Sequence, residues 1–249
     1  MMIDFHTHIL PQIDDGAKSP AVAAEMLKME YEQGAKEVLL TPHYYGKYTE
    51  SQFMLLRAEA HDKVKPLLPD GVKARLGAEI LITGVNDPAD EALCALAIEG
   101  TKCVLFELPY GAWNERLLPR ISNFIADTGY SPVIAHVERY EEIWRNPVIV
   151  TMLVNMGCYI QVNADAFFEK HTKGLAYALL KHGLVHCIGS DAHDEKLRKP
   201  NLLKLKEEWQ AKGREAEWDE LQWCMRTLLS GERLMKPYGK VRKIGKWYF

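Results

Sequence analysis

Cysteine is scarce: Cys94, Cys103, Cys158, Cys187 and Cys224 are scattered over 249 residues, and their odd number suits no disulfide framework. Most lie in apolar runs, so they read as buried free thiols in a reducing, cytoplasmic compartment. None begins a Cys-x-x-Cys pair and none has arginine six residues on. The Cys-x5-Arg loop of thiolate-based phosphatases is therefore excluded. A basic excess is missing too: 31 Lys and Arg stand against 34 Asp and Glu, for a net charge of −3. A protein that coats nucleic acid carries the opposite balance, so no nucleic-acid partner is expected. No run approaches the roughly 18 apolar residues of a membrane span, and no charged n-region with an apolar h-region opens the chain. Neither membrane insertion nor a secretory leader is expected. Repeats, low-complexity tracts and Gly/Ser/Pro linkers are absent. The expectation is one domain over residues 1–249, a length at which α/β barrels commonly run as one core.

What is present is an alternation of short β-branched runs with helical stretches, the pattern of βα units and a parallel sheet. Seven strands are expected, at 2–5, 37–41, 72–76, 103–106, 132–135, 159–162 and 185–189. Ser19-Pro20 is a cap followed by Pro at the first helical position, opening a helix to Gln33 with Gly34 as its stop. Further helices are expected over 51–68, 88–98, 113–128, 147–156 and 172–182, and from Asn201 onward. The basic, aromatic segment Lys240 to Phe249 has no assigned structure.

The strand ends carry the argument for function. His6 and His8 lie two apart at the end of the first strand, on one side of an extended chain. Such a pair also arises by chance. The other strand ends, however, bring His43, Glu79, Glu107, His136, Asn163, Asp191 and His193. In a barrel of parallel strands these ends open onto one face, where such barrels keep their chemistry. Converging carboxylates repel, and burying them unpaired is expensive. Divalent metals resolve both costs. Imidazole and carboxylate without thiolate suit Mn²⁺, Fe²⁺ or Zn²⁺ better than Ca²⁺. With Asp15 the candidates are His6, His8, Asp15, His43, Glu79, Glu107, His136, Asp191 and His193, too many for one ion and enough for two or three sharing a carboxylate. Such a cluster lowers the pKa of bound water from ~15.7 to ~7 and clamps an in-line displacement, which points to hydrolysis of a phosphate ester or, less often, of an amide. Arg139, three residues after His136, and Arg198, in the loop after His193, are candidates to hold phosphate oxygens bidentately. Arg139 has an alternative in pairing with Glu138, Glu141 or Glu142.

In the stretches Met2–Pro11, Ile13–Gly16, Thr41–His43, Gly77–Ile80, Phe106–Glu107, Pro132–Tyr140, Met156–Asn163 and Ser190–His193, the sequence resembles the polymerase and histidinol phosphatase (PHP) superfamily. Within it, the chain is most similar to the bacterial metal-dependent protein-tyrosine phosphatases of capsule and exopolysaccharide loci. The resemblance implies a distorted seven-stranded (β/α)7 TIM-like barrel and up to three metals, usually Mn²⁺. It implies one ion on His6, His8, Glu79 and Asp191, and a second on Glu79, Glu107 and His136. Asp15, His43 and His193 would hold the third. Arg139 matches the family's catalytic arginine, and Arg198 a second phosphate-binding one. The implied substrate is phosphotyrosine, typically on a tyrosine autokinase controlling polysaccharide export. Asp194 departs from the family's frequent Asn, and the Tyr44–Tyr48 loop and the tail from Lys240 lie outside the resemblance. A histidinol-phosphate phosphatase is the alternative enzyme. A nuclease and a kinase-binding module with structural metals are weaker readings, and a homo-oligomer stays open.

Overall fold

The computed structural model describes residues 1–249. Its first strand, β1 (Met2–Thr7), is buried at every position. Burial on both faces is the mark of a strand in a covered parallel sheet. β1 pairs with β2 (Ala35–Leu40), and β2 with β4 (Lys73–Leu76). A second parallel set runs in the order β3 (His43–Tyr44), β5 (Glu79–Leu81), β6 (Cys103–Glu107), β7 (Ser131–Ile134), β8 (Tyr159–Asn163) and β9 (Cys187–Gly189). Together the parallel strands curl into a half-barrel. Thr7 bridges Ala192 in parallel. Asp191 N–H donates to His6 O at 2.8 Å, and His8 N–H to Ala192 O at 2.8 Å.

Two expected strands, 37–41 and 72–76, form as β2 and β4 and are each followed, past a break, by a second short strand. The second passes from β2 to β3 through Thr41-Pro42, where Pro has no N–H for the ladder. The third passes from β4 to β5 through Gly77-Ala78. A Cβ on Gly77 would come within 3.1 Å of Thr41 Cγ2, so the two breaks pack against each other.

Helices follow the strands: α1 (Pro20–Glu32), α2 (Glu50–Val64), α3 (Leu117–Thr128), α4 (Glu141–Arg145), α5 (Val148–Met156), α6 (Lys173–Lys181), α7 (Leu202–Ala211) and α8 (Glu215–Leu229). Ser19 Oγ accepts from Val22 N–H and Pro20 stands at the first turn of α1. Thr49 and Gln52 form a reciprocal capping box on α2. Residues 88–98 hold only a 3₁₀ turn, Glu91–Leu96. α3 starts later than Trp113. The Trp113 indole donates to Pro109 O at 2.7 Å and Asn114 Oδ1 accepts from Arg116 N–H at 2.9 Å, which holds that stretch as a loop. The tail from Lys240 contains an antiparallel hairpin, β10 (Lys243–Ile244) with β11 (Trp247–Tyr248).

One cluster of 67 buried apolar residues runs from Met2 to Val241. Buried polar side chains gather at the carboxyl ends of the strands: His6, His8, Glu79, Glu107, His136, Asn163 and Asp191. All five cysteines are free and four are buried; Cys94 is half-buried. No helix is long and apolar enough to cross a membrane.

Candidate metal centre

Strand geometry brings the nine His, Asp and Glu candidates to one place. The focus is Glu79 at the start of β5, fully buried. Its Oε2 lies 3.1 Å from His6 Nε2, 3.2 Å from His8 Nε2 and 3.1 Å from His43 Nδ1. Its Oε1 lies 2.8 Å from His136 Nε2. Asp191 Oδ1 stands 3.7 Å from His6 Nε2 and 3.4 Å from His8 Nε2. Glu107 reaches His43 Nδ1 and His136 Nε2, each at 3.6 Å. Asp15, more than half exposed, comes to 3.7 Å from His43 Nε2 and 3.5 Å from His193 Nε2.

Three donor sets emerge within metal-binding reach: His6, His8, Glu79 and Asp191; His8, Asp15, His43 and His193; and His43, Glu79 and Glu107. The first is the set the resemblance implies. In the others His8 joins Asp15, His43 and His193, and His43 rather than His136 groups with Glu79 and Glu107. His136 remains beside both of those carboxylates.

Backbone and close packing hold these donors. His136 (φ 30°) and Asp191 (φ 54°) adopt left-handed conformations that cost a non-glycine residue energy, and such strain is retained where the surroundings enforce it. A Cβ on Gly16 would meet His8 O at 2.1 Å, and one on Gly189 would meet His6 Cβ at 2.6 Å. Glycine at these positions lets the backbone press against both histidines.

A shell of polar groups orients the rings. Asp14 Oδ2 lies 2.7 Å from His8 Nδ1 and accepts His43 N–H at 2.8 Å. Gln161 Oε1 accepts His136 N–H at 2.6 Å and lies 3.4 Å from His6 Nδ1. The Gln161 amide donates to Asn163 Oδ1 at 2.8 Å, and Asn163 Nδ2 donates to Asp191 Oδ2 at 3.1 Å. The Tyr110 hydroxyl donates to Glu107 Oε1 at 2.8 Å. Tyr140 packs against His136 and its hydroxyl accepts Leu108 N–H at 2.8 Å. Such partners fix tautomer and orientation in metal sites. Sequence reasoning assigned no role to Gln161 or Tyr110. The Gln161-x-Asn163 spacing repeats the two-residue period of His6-x-His8 and was the available signal; Tyr110 had none.

The electrostatics suit a cation. Burial opposes charge on Glu79, yet His6, His136 and His8 hold its carboxyl well below the usual range. Asp191 is likewise held low against burial by His6, His8 and Arg139. Burial, then Glu79, pushes Glu107 up to about 7. Burial, then His8, presses His193 down to about 3 and so keeps the ring a neutral lone-pair donor. Glu79 Oε2, His43 Nδ1 and His193 Nε2 are buried without a hydrogen-bond partner. Buried polar atoms are ordinarily satisfied. Three aimed into one cluster of lone-pair donors fit a bound divalent metal.

Asp191 divides its oxygens. Oδ1 faces the histidines, while Oδ2 receives Arg139 Nη2 at 2.7 Å and Arg198 Nη2 at 2.9 Å. Both guanidiniums are more than a third exposed and line a cavity of about 300 Å³ beside the cluster. Arg139 thus pairs with Asp191 rather than with Glu141 or Glu142. Asp194 Oδ1 accepts the N–H groups of Lys196 and Leu197, both at 2.6 Å, and so shapes the loop carrying Arg198. Tyr45, from the Tyr44–Tyr48 loop, stacks on His43 with centroids 4.9 Å apart and stays about half exposed at the mouth.

Known proteins resemble this chain over most of its length. A family model described as "Capsular polysaccharide synthesis, CpsB/CapC" matches residues 2–224. Tyrosine-protein phosphatase YwqE of Bacillus subtilis (strain 168) is 32% identical over 202 residues, covering 79% of each chain. Tyrosine-protein phosphatase CpsB of Streptococcus pneumoniae is 30% identical over 216 residues, covering 81% of this chain and 86% of its own. A solved chain from crystal structures of YwqE from B. subtilis and CpsB from S. pneumoniae, described as unique metal-dependent tyrosine phosphatases, superposes with a TM-score of 0.77. It is 27% identical and covers 97% of this chain and 100% of that one.

Proposed function

This chain belongs to the CpsB/CapC family of capsular polysaccharide synthesis, and from that premise we propose that it is a metal-dependent phosphatase acting on phosphotyrosine in proteins. The observation that carries the reading is the single Glu79 oxygen surrounded by three histidine nitrogens, with two arginines one carboxylate away.

His6, His8, Asp15, His43, Glu79, Glu107, His136, Asp191 and His193 would hold the ions; their N/O donor set suits manganese, iron or zinc, and the family resemblance puts manganese first. Bound divalent metal supplies Lewis acidity, giving a nucleophile at neutral pH and neutralising phosphoryl charge. The chain supplies the rest. Arg139 and Arg198 hold phosphoryl oxygens by exchanging part of their contact with Asp191 Oδ2, and Asn163 keeps that oxygen in place. Tyr45 and Tyr110 offer ring faces to the substrate's phenyl group at the mouth. No side chain here forms a phospho-enzyme.

Four further readings complete the proposal. The strands β1, β2 with β3, β4 with β5, and β6 to β9 are read as one seven-stranded barrel, supported by the Thr7–Ala192 bridge. Residues 1–249 are read as one domain, supported by the single core cluster. The protein substrate is taken to be a bacterial tyrosine autokinase controlling exopolysaccharide synthesis. Family membership supports that reading, and five free thiols support a cytoplasmic setting.

The test is hydrolysis of a phosphotyrosine peptide by chelator-stripped protein before and after Mn²⁺, beside a phosphoserine peptide and histidinol phosphate. Activity should return with Mn²⁺ and on phosphotyrosine alone. Turnover confined to histidinol phosphate, by folded protein shown to hold its metal, would replace this reading with that of a small-phosphomonoester phosphatase.

A further inference from the structure

The last 17 residues lie beyond the stretch that the family model matches and take no part in the site. Residues 233–249 contain six basic side chains, Arg233, Lys236, Lys240, Arg242, Lys243 and Lys246, and no acidic one. The rest of the chain is acidic, since the whole carries −3. This charge is built onto a fixed platform. Val241 is fully buried, and Arg242 and Phe249 exchange N–H···O bonds of 2.7 and 2.9 Å that close the β10–β11 hairpin.

Register decides which way the side chains face. Opposed residues of an antiparallel pair share a face, and successive pairs alternate. The Lys243–Tyr248 pair faces the body: Lys243 Nζ donates to Trp144 O at 2.6 Å and the Tyr248 hydroxyl to the same oxygen at 3.2 Å. The Arg242–Phe249 and Ile244–Trp247 pairs therefore face out. Ile244 is 68% exposed, Trp247 64% and Phe249 57%. An outward branched aliphatic and two aromatics on one anchored face, rimmed by cations, are costly in water without an occupant.

We propose that this hairpin docks the protein peripherally on an anionic lipid surface. The chemistry is that of an interfacial anchor: Trp247, Ile244 and Phe249 enter the headgroup boundary while Lys240, Arg242 and Lys246 pair with lipid phosphates. The protein would lie on the bilayer, not span it. Charge complementarity selects this occupant over a second copy of the chain. A twofold contact places the same patch against itself, and here that sets cation against cation. Trp144 ties the platform to the site rim, because its indole N–H donates to Glu138 O, next to Arg139.

Co-sedimentation of the full metal-loaded chain with vesicles tests the proposal. Vesicles of phosphatidylcholine with about a third phosphatidylglycerol should bind it at least about tenfold better than phosphatidylcholine alone, and high salt should release it. Ile244→Ser with Trp247→Ser should lose at least about tenfold in binding, with circular dichroism and metal content unchanged. Lys240→Gln with Arg242→Gln and Lys246→Gln keeps the apolar face and should lose the preference for anionic lipid. Three results would overturn the proposal. The first is equal binding by the native chain and both variants. The second is no binding to anionic vesicles together with a dimer that the Ile244/Trp247 variant breaks. The third is binding to polyglutamate as tight as to vesicles, which would assign the face to an acidic protein.

Discussion

Asp191 joins the two halves of the site through one carboxylate. Its Oδ1 belongs to the histidines and its Oδ2 to Arg139, Arg198 and Asn163. Removing one arginine leaves Oδ2 with two donors, so the carboxylate stays charged and in place. Arg139→Ala should therefore keep the native metal content, read by elemental analysis, while kcat/KM on a phosphotyrosine peptide falls ~10²–10³-fold, the usual effect of losing one donor to developing negative charge. Arg139→Lys should recover little, because a single ammonium does not reproduce the two-pronged contact. Undiminished turnover in the alanine variant would take Arg139 out of the mechanism. Metal lost along with turnover would instead mean that the arginine supports the cluster through Asp191.

The strands position the donors, and the seam between β1 and β9 is a tight place in that arrangement. Gly189 presses on His6, where an added Cβ would lie 2.6 Å from Cβ and 2.9 Å from the backbone nitrogen. Neither atom is the free end of a flexible side chain, so the seam itself must open. Gly189→Ala should cost ~1–3 kcal/mol of stability, the range for an overpacked core, and weaken metal binding through His6. Thermal unfolding and metal titration read the two effects separately; unchanged values in both would show that the seam yields without moving His6. At this scale the sequence was legible where local pattern and tertiary role coincide. His6-x-His8 at a strand end, and Glu79 and Glu107 each closing an apolar run, could be read directly. The break between β2 and β3 at Pro42, and the β10–β11 hairpin with two residues per strand, carry too little periodicity to read. The left-handed backbone of His136 and Asp191, and the tie of Tyr110 to Glu107, depend on contacts made only once the sheet has curled.

Across the whole molecule the sheet has two unlike ends. Its middle is a continuous apolar core, while its carboxyl end gathers five histidines and four acidic side chains around partly unsatisfied atoms. Without metal that end destabilises the fold, since charges are desolvated and Glu79 Oε2 has no hydrogen-bond partner. Metal that binds the folded chain but not the unfolded one reverses this by mass action: ~2.7 kcal/mol when free metal is a hundred times its dissociation constant. For a chain of this size each kcal/mol moves the midpoint by ~2–4 °C. Adding Mn²⁺ to chelator-stripped protein should therefore raise Tm by roughly 5–10 °C in calorimetry. Ca²⁺ at the same free concentration should do much less, because it prefers all-oxygen cages. The donors come from β1 and the loop after it, from β3, β5 and β6, and from the loops after β7 and β9, so the gain should move one transition as a unit. A Tm indifferent to Mn²⁺, or raised equally by Ca²⁺, would mean that these nine residues do not form a transition-metal centre, and the phosphatase reading would lose its chemical basis.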